Sequence, residues 1–319
     1  MSSPTAQSGI LDCGVPYARI APDDGRDPGS GESAESPECR PIVVFDSFRV
    51  EHRPAEGLVL QGMMTAYERY VEIGYTVYII ERTSGMPIDY TFEDIRDDYA
   101  RAVEEIAQLH SGEPRSGVNL VGVGAGGLFA LAVAARAESG ETGAVSFASP
   151  LRTPVTRLVL ISSAARMSDA ARSAAGRWQE AAEHLRWRDV HRDMVTLSHV
   201  GPSAVFYSTI AWLFPNLLGT TDYPWDFVIT VRETAGTDVS DQLTGIEVPT
   251  LFLGGERDRL FLAEDMKEAA RELPHADAQL FPGGGHAVAK SRTREVERRV
   301  LSFLRNSDTE TGGETDRMH

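Results

Sequence analysis

The chain has 319 residues, 42% of them hydrophobic, which is enough for one large α/β domain with an insertion or for two small domains. Its formal net charge of −16 argues against nucleic acid or an anionic membrane as a partner, because both require a basic protein face. The cysteines Cys13 and Cys39 and the histidines His184, His191 and His199 lack metal-ligand spacing, so no metal site is expected and these histidines are predicted surface or pocket-wall residues. With no signal peptide and no membrane-spanning run, a cytoplasmic protein is expected.

Both ends of the chain are predicted to lack a fixed fold. Residues 1–40 are rich in Gly, Pro, Ser and acidic residues, which predicts a flexible N-terminal segment with room only for a short edge strand over Gly14–Ile20. Residues 306–319 are similarly polar and predict a disordered tail. The folded part is therefore expected over residues 41–305.

Strands and helices alternate along most of the folded part. Short apolar runs predict strands, and apolar residues at helical spacing predict the helices between them. This alternation indicates the α/β class, with a mostly parallel sheet covered by helices on both faces. The predicted strands are Pro41–Phe48, Tyr75–Glu81, Val118–Val123, Arg157–Ser162, Leu251–Leu253 and Ala278–Phe281. The predicted core helices are Leu58–Ile73, Thr91–Leu109, Gly126–Arg136, Ala263–Leu273 and Thr293–Leu304.

One stretch breaks the alternation. Residues 164–245 contain no clear strand, and helices are predicted there over Ala170–Leu185 and Ser203–Leu213. Such an insertion indicates a helical cap on an α/β core that comprises residues 41–163 and 246–305. All four tryptophans lie in the cap, where they either line a pocket between cap and core or pack inside an ordinary helical subdomain. We expect the pocket, with a small-molecule substrate as its ligand.

The centre of the core is the stretch Val118–Ala135, VNLVGVGAGGLFALAVAA, which predicts a strand, a glycine turn and a helix. Its glycines also satisfy the dinucleotide-binding pattern G-x-G-x-x-G. That pattern needs an acidic residue about 20 positions later, at the end of the next strand. There this chain has Ser162 and Ser163. No nucleotide cofactor is therefore predicted, and no cofactor of another kind.

Three motifs follow one another in the core. The glycine turn comes first, Asp258 follows a strand in VPTLFLGGERDRLF, and His286 lies in a glycine loop in FPGGGHAVAKS. In this order and strand context they resemble the elbow, acid and histidine of the α/β-hydrolase superfamily, over residues 41–305. The segment RLVLISSAARMSD and the helical block after it resemble the capped, actinobacterial-type members. The resemblance implies an α/β-hydrolase sheet with a cap and a His286–Asp258 dyad, with Glu256 as a fallback acid.

The resemblance breaks at the middle of the glycine turn. In the family the turn reads G-x-S-x-G and its serine is the nucleophile, whereas this chain has Gly124. Glycine lets the strained turn form but leaves the nucleophile position vacant, so no acyl-enzyme can form on residue 124. The amide N–H of Ala125, at the start of the following helix, is expected to remain as an oxyanion donor.

The loop after the first core strand also departs from the family. Asp46 and Ser47 stand where many relatives have His-Gly or Pro-Gly. Asp46 is a candidate acid/base or substrate-binding group, and Ser47 either hydrogen-bonds the substrate or acts as a relocated nucleophile. The alternative is that both residues only terminate a strand. Together with Ala125, Ser47 and Phe48 are the candidate oxyanion or substrate-binding residues.

Three functions fit these residues. In the first, preferred here, His286 and Asp258 perform non-covalent acid–base chemistry on a small, partly apolar substrate, as a lyase, isomerase or cyclase or through a His-activated water. In the second, the chain is a ligand-binding pseudoenzyme. In the third, it is a serine hydrolase whose nucleophile has been replaced by Gly124.

Overall fold

An eight-stranded sheet forms the centre of the computed structural model, which describes residues 4–23, 40–111, 117–138, 151–200, 221 and 223–305. The strands are β1 (Pro4–Ile10), β2 (Pro16–Pro22), β3 (Ile42–Phe45), β4 (Val77–Ile80), β5 (Val118–Val123), β6 (Val155–Ile161), β7 (Thr250–Gly255) and β8 (Ala276–Phe281). Their order across the sheet is β1-β2-β4-β3-β5-β6-β7-β8. Strands β3 to β8 pair in parallel, and β1 and β2 are antiparallel to their neighbours.

Helices connect these strands. They are α1 (Gly57–Glu72), α2 (Phe92–Ser111), α3 (Gly126–Glu138), α4 (Asp169–Glu183), α5 (Trp187–Ser198), α6 (Pro224–Gly236), α7 (Ala263–Glu272), α8 (Val288–Ser291) and α9 (Thr293–Arg305), with a 3₁₀ helix over Ser240–Gly245. Within the described ranges, none of the helices is both long enough and apolar enough to span a membrane.

Apolar layers cover both faces of the sheet. In β3, Val43 and Phe45 join the cluster that includes α2 and α3, whereas Ile42 and Val44 join the cluster on the other face, which includes α1 and α9. Successive side chains of a strand point to opposite faces, so a strand buried on both must be apolar throughout. The predicted fold class, a mostly parallel α/β sheet with helices on both faces, is confirmed.

The N-terminal segment contains a β-hairpin. Strands β1 and β2 pair along their whole length, and β2 pairs with β4, so the hairpin extends the sheet. Val15, Ala18 and Ile20 are buried, and the alternating burial of β2 is typical of a strand with one face in the core. The prediction that residues 1–40 form one flexible segment is therefore wrong for residues 4–22. The alternation of apolar and polar residues in these strands was overlooked, because the residues that follow are polar and rich in glycine and proline.

The insertion between β6 and β7 is helical where it is described. Helix α4 packs against α5 and α6, and α4 is anchored to the core because the Ser168 N–H donates to the Leu260 carbonyl at 2.9 Å. Trp178 is buried and meets Phe48 edge to face at 5.9 Å, so it packs against the core. The predicted helix Ser203–Leu213 and the tail 306–319 lie outside the described residues.

Candidate active site

A glycine turn joins β5 to α3 at the carboxyl edge of the sheet. Gly124 has a φ of +52°, in the left-handed region that glycine adopts most readily, and its N–H donates to the Ile161 carbonyl at 2.9 Å. At Gly126, a Cβ atom would collide with the carbonyl oxygens of Phe45 and Asp46. The elbow predicted from the sequence is therefore formed, and the start of α3 lies directly against the end of β3.

The side chain of Ser47 lies next to position 124 of this elbow. A Cβ atom built on Gly124 would lie 2.6 Å from Ser47 Oγ and 3.2 Å from His286 Nε2. With no side chain at position 124, the Ser47 hydroxyl at the end of the neighbouring strand is the atom nearest to the Cβ position, so Ser47 and His286 border the site that was predicted to be vacant. A serine at position 124 would require the Ser47 hydroxyl to rotate away.

The structure brings the two side chains of the predicted dyad together beside the elbow. His286 Nδ1 lies 3.0 Å from Asp258 Oδ2, and the other carboxylate oxygen accepts the backbone N–H groups of Leu260 at 2.9 Å and Phe261 at 3.1 Å. The Asp258 side chain has no exposed area and that of His286 is 12% exposed. A carboxylate at Nδ1 favours the tautomer that leaves Nε2 free to accept a proton, and Nε2 faces the elbow.

Two neighbours that the sequence interpretation missed hold His286 in place. The Phe261 ring stacks on the imidazole at 5.9 Å between centroids, and the Ser162 hydroxyl donates to the His286 carbonyl at 2.7 Å. Ser162 has a φ of +51°, unusual for serine. Glu256, the fallback acid, accepts the N–H of Gly283 at 3.1 Å. The structure therefore places Asp258, and not Glu256, on the histidine.

A buried arginine holds the loop after β3. Arg82, 1% exposed, donates to the carbonyl of Asp46 at 3.1 Å and to the carbonyl of Ser47 at 3.1 and 3.2 Å. Asp46 Oδ1 in turn accepts the N–H of Ser47 at 2.8 Å. This N–H is thus engaged by a carboxylate, which disfavours it as an oxyanion donor. Nothing in the sequence pattern distinguished Arg82 from an ordinary residue after a strand.

The same loop contains a buried ion pair. Arg49 donates to Glu81 at 2.5 Å, and the Glu81 side chain is 3% exposed. Burial raises the pKa of Glu81 to about 7, and it outweighs the opposing effects of Arg49 and Arg82. The charge of this pair therefore changes close to neutral pH.

A cavity of about 730 Å³ opens above the elbow, between the edge of the sheet and the cap. Asp46, Ser47, Phe48 and His286 line it, whereas Ala125 is buried at the start of α3 and is not part of its wall. Its apolar side chains include Val59, Met63, Val123, Ile161, Met194 and Val195. The charged and polar ones include Arg49, Glu51, Arg53, Ser198, His199 and Lys290. The cavity thus joins an apolar surface to the predicted dyad.

Helix α5 contributes the cap side of the cavity. His191 is 3% exposed, and neither ring nitrogen meets a hydrogen-bond partner in the described part of the chain. Burial lowers its pKa to about 4, so the imidazole is neutral at pH 7. Trp187 faces away from the cavity and meets Phe227 edge to face at 5.7 Å. The cap presents α5 to the cavity, while Trp178 and Trp187 pack in the interior.

The chain belongs to the alpha/beta hydrolase family, since the model of that family matches residues 62–299. Over 68 residues it is 45% identical to a pimeloyl-(acyl-carrier protein) methyl ester esterase of Xanthomonas campestris pv. campestris strain B100. This match covers 21% of the chain and 27% of the esterase, so the chain spans about a quarter of the curated relative it matches.

Two solved structures show the fold over nearly the whole chain. The enol-lactonase from Burkholderia xenovorans LB400 has a TM-score of 0.66 at 15% identity, over 93% of this chain and 99% of that one. A bromoperoxidase from Bacillus anthracis has a TM-score of 0.62 at 16% identity, over 94% and 100%. At such identities the similarity concerns the fold alone. Membership of the capped, actinobacterial-type subgroup stays a prediction.

Proposed function

We propose that this protein is an enzyme whose His286–Asp258 dyad performs non-covalent acid–base chemistry on a small, partly apolar molecule bound between core and cap. One observation carries the proposal: His286 Nε2 lies 3.2 Å from where a Cβ on Gly124 would stand, while Nδ1 lies 3.0 Å from Asp258 Oδ2. This is the placement of a general base, and it does not depend on a serine at position 124.

The dyad has what proton transfer needs. His286 Nε2 takes a proton from the substrate or from a water molecule, and the Asp258 carboxylate stabilises the imidazolium that forms. Two backbone N–H groups hold Asp258, so the carboxylate keeps its orientation during the transfer. Elimination, isomerisation, cyclisation and attack by an activated water all require this base. The proposed stabiliser of negative charge on the substrate is the N-terminal dipole of α3, because Ala125 itself is buried outside the described cavity wall.

The cavity defines the substrate by size and polarity. A volume of about 730 Å³ is that of a small-molecule site. The apolar walls from α1, β5, β6 and α5 favour a hydrocarbon portion, and the reacting polar group then lies at His286 and Ser47. Asp46, with Oδ1 committed to the Ser47 N–H, is proposed to position the loop and to add negative charge beside the substrate.

An enzyme fits the described side chains better than a pseudoenzyme does. A protein that only binds a ligand needs no buried carboxylate aligned on a histidine, whereas Asp258, Phe261 and Ser162 all fix His286 in one orientation. The names of the esterase and the enol-lactonase describe ester and lactone substrates. Small methyl esters and lactones are therefore the first compounds to test here.

The test is a substrate screen with a matched pair of histidine variants. The protein is incubated in D₂O with small methyl esters, lactones and carbonyl compounds that carry an acidic C–H, and products and deuterium incorporation are read by NMR. We expect wild type and His184→Ala to turn over the same compound, since His184 is exposed at the end of α4. His286→Ala should lose turnover. Equal turnover by both variants contradicts the proposal, and tight binding without conversion supports a pseudoenzyme.

A further inference from the structure

The structure brings one serine hydroxyl to the point where the family has its nucleophile. Ser47 Oγ lies 2.6 Å from the position of a Cβ on Gly124, and His286 Nε2 lies 3.2 Å from the same position. The oxygen and the base therefore border the same small volume at the floor of the cavity. Hydrogen bonds between a nucleophile and its base are often looser before substrate binds.

Hydrogen bonds hold both backbone groups of Ser47. Arg82 binds its carbonyl, and Asp46 Oδ1 binds its N–H at 2.8 Å. With both backbone groups engaged, the free movement of Ser47 is rotation about its Cα–Cβ bond, which swings the hydroxyl within the volume next to His286. A preorganised nucleophile of this kind loses little entropy when it reacts.

The other serines that line the cavity use their hydroxyls elsewhere. The Ser162 hydroxyl donates to the His286 carbonyl at 2.7 Å, and the Ser198 hydroxyl donates to the Met194 carbonyl at 2.8 Å. Both bonds are to backbone oxygen, and neither places the hydroxyl at the elbow. Ser47 is thus distinguished from them by position.

We infer that Ser47 is a relocated nucleophile, which gives the site a second, covalent activity toward small esters with an apolar acyl group. The inference rests on the dyad of the proposed function and adds a covalent step to it. In the covalent step His286 takes the proton of the Ser47 hydroxyl, as it takes a proton from the substrate or from water in the proposed function. The apolar walls of the cavity then hold the acyl chain beside the new ester bond.

The step balances without a cofactor. Ser47 Oγ forms a bond to the ester carbonyl carbon while its proton passes to His286 Nε2. The bond from that carbon to the alkoxy oxygen breaks, and the alcohol leaves with the proton from His286. Water then attacks the acylated Ser47, gives a proton to His286 and releases the carboxylic acid, and the proton returns to Ser47 Oγ.

The experiment uses a small alkyl fluorophosphonate, which serine nucleophiles attack at phosphorus with loss of fluoride. The full chain is treated with the probe, and the modified residue is located by peptide mass spectrometry. We expect the adduct on Ser47, no adduct there in Ser47→Ala, and a rate at least about 100-fold lower in His286→Ala, because the base is lost. Ser302→Ala, which removes an exposed hydroxyl on α9 outside the cavity, should be labelled as fast as wild type.

The outcomes separate this inference from the proposed function. An adduct on another residue, or no adduct on the folded wild-type protein, overturns the role of Ser47. If His286→Ala also leaves turnover in the substrate screen unchanged, the dyad itself fails. If turnover depends on His286 while Ser47 stays unmodified, the acid–base function stands and the covalent activity does not exist. The thermal unfolding of Ser47→Ala, compared with wild type, shows whether the fold is retained.

Discussion

The two sides of the candidate site differ in how closely they match the residue pattern of the alpha/beta hydrolase family. The histidine side, Asp258, Phe261 and His286, contains a base with its carboxylate, its stacking ring and two backbone donors to the acid. The elbow side, Asp46, Ser47 and Gly124, has no side chain at position 124, and the nearest atom to the missing Cβ is the hydroxyl of Ser47 at the end of the neighbouring strand. The difference teaches that the base and the nucleophile position are separable parts of this fold.

The sides are separable because they are built on different strands. Asp258 and His286 follow β7 and β8, whereas the elbow and its neighbouring loop follow β5 and β3. Changes at Gly124 and Ser47 therefore leave the hydrogen bonds of Asp258 untouched. The predictions below disturb one side at a time.

Asp258→Asn should have the largest effect, because the amide no longer holds His286 in the productive tautomer or stabilises its charge. We expect kcat/KM on a substrate found for the wild type to fall by about 1,000-fold. Glu256→Gln, a change of the same kind in the same loop, should stay within about threefold, since Glu256 bonds to Gly283. Similar losses in both variants would mean that the acid has been misassigned.

Arg82→Met tests what supports the elbow side. The variant leaves the carbonyls of the half-buried Asp46 and Ser47 without their donor, so the free energy of unfolding should fall by about 3 kcal/mol in a urea titration. Arg53→Met is the control, because Arg53 is largely exposed and pairs with Glu51 at the surface. Its effect should be below about 0.5 kcal/mol. Equal effects would show that the Ser47 loop does not depend on Arg82.

Glu81→Gln tests the buried pair beneath the same loop. Burial raises the pKa of Glu81 from its ordinary 4.5 to about 7, so the folded protein binds a proton that the unfolded chain has lost. The contribution of Glu81 to unfolding free energy is therefore complete below about pH 4.5 and declines as the pH rises to about 7. Relative to wild type, the free energy of unfolding of Glu81→Gln should rise by about 3 kcal/mol between pH 4.5 and pH 7. Parallel stability curves contradict the assignment.

The smallest effect is expected for the stability of the double variant Gly124→Ala with Ser47→Gly, measured as the free energy of unfolding. Alanine at a φ of +52° costs about 1 kcal/mol from strain alone, and its Cβ also meets Ser47 Oγ at 2.6 Å. Removing the Ser47 side chain should recover the second part, which gives a coupling energy of about 1 kcal/mol in a double-mutant cycle. Additive changes in the unfolding free energy would show that the two positions do not share one space.

The sequence predicted the fold and the elements around the dyad well. β5 has the bounds that were predicted, and the chain order of elbow, Asp258 and His286 was enough to expect the last two together. The reason is that buried parallel strands leave continuous apolar runs, and loops at their carboxyl ends meet at one edge.

The elbow side was beyond sequence reasoning because it depends on contacts between distant segments. Gly124 read alone predicts an empty position, and only the pairing of β3 with β5 brings Ser47 into it. Arg82 and Ser162 follow strands, as many surface residues do. In the structure both are buried, and their side chains donate hydrogen bonds to the Ser47 loop and to the His286 carbonyl. The N-terminal hairpin was missed because its alternation covers only a few residues.

The close approach at Gly126 has a consequence for engineering. Because the start of α3 lies against the carbonyl oxygens of Phe45 and Asp46, the spacing between the two strand ends is fixed by backbone. Side chains at positions 47 and 124 therefore border the same space next to His286. We therefore expect serine, cysteine or aspartate to be accommodated at either position without a change in the sheet, provided that the other position is left small.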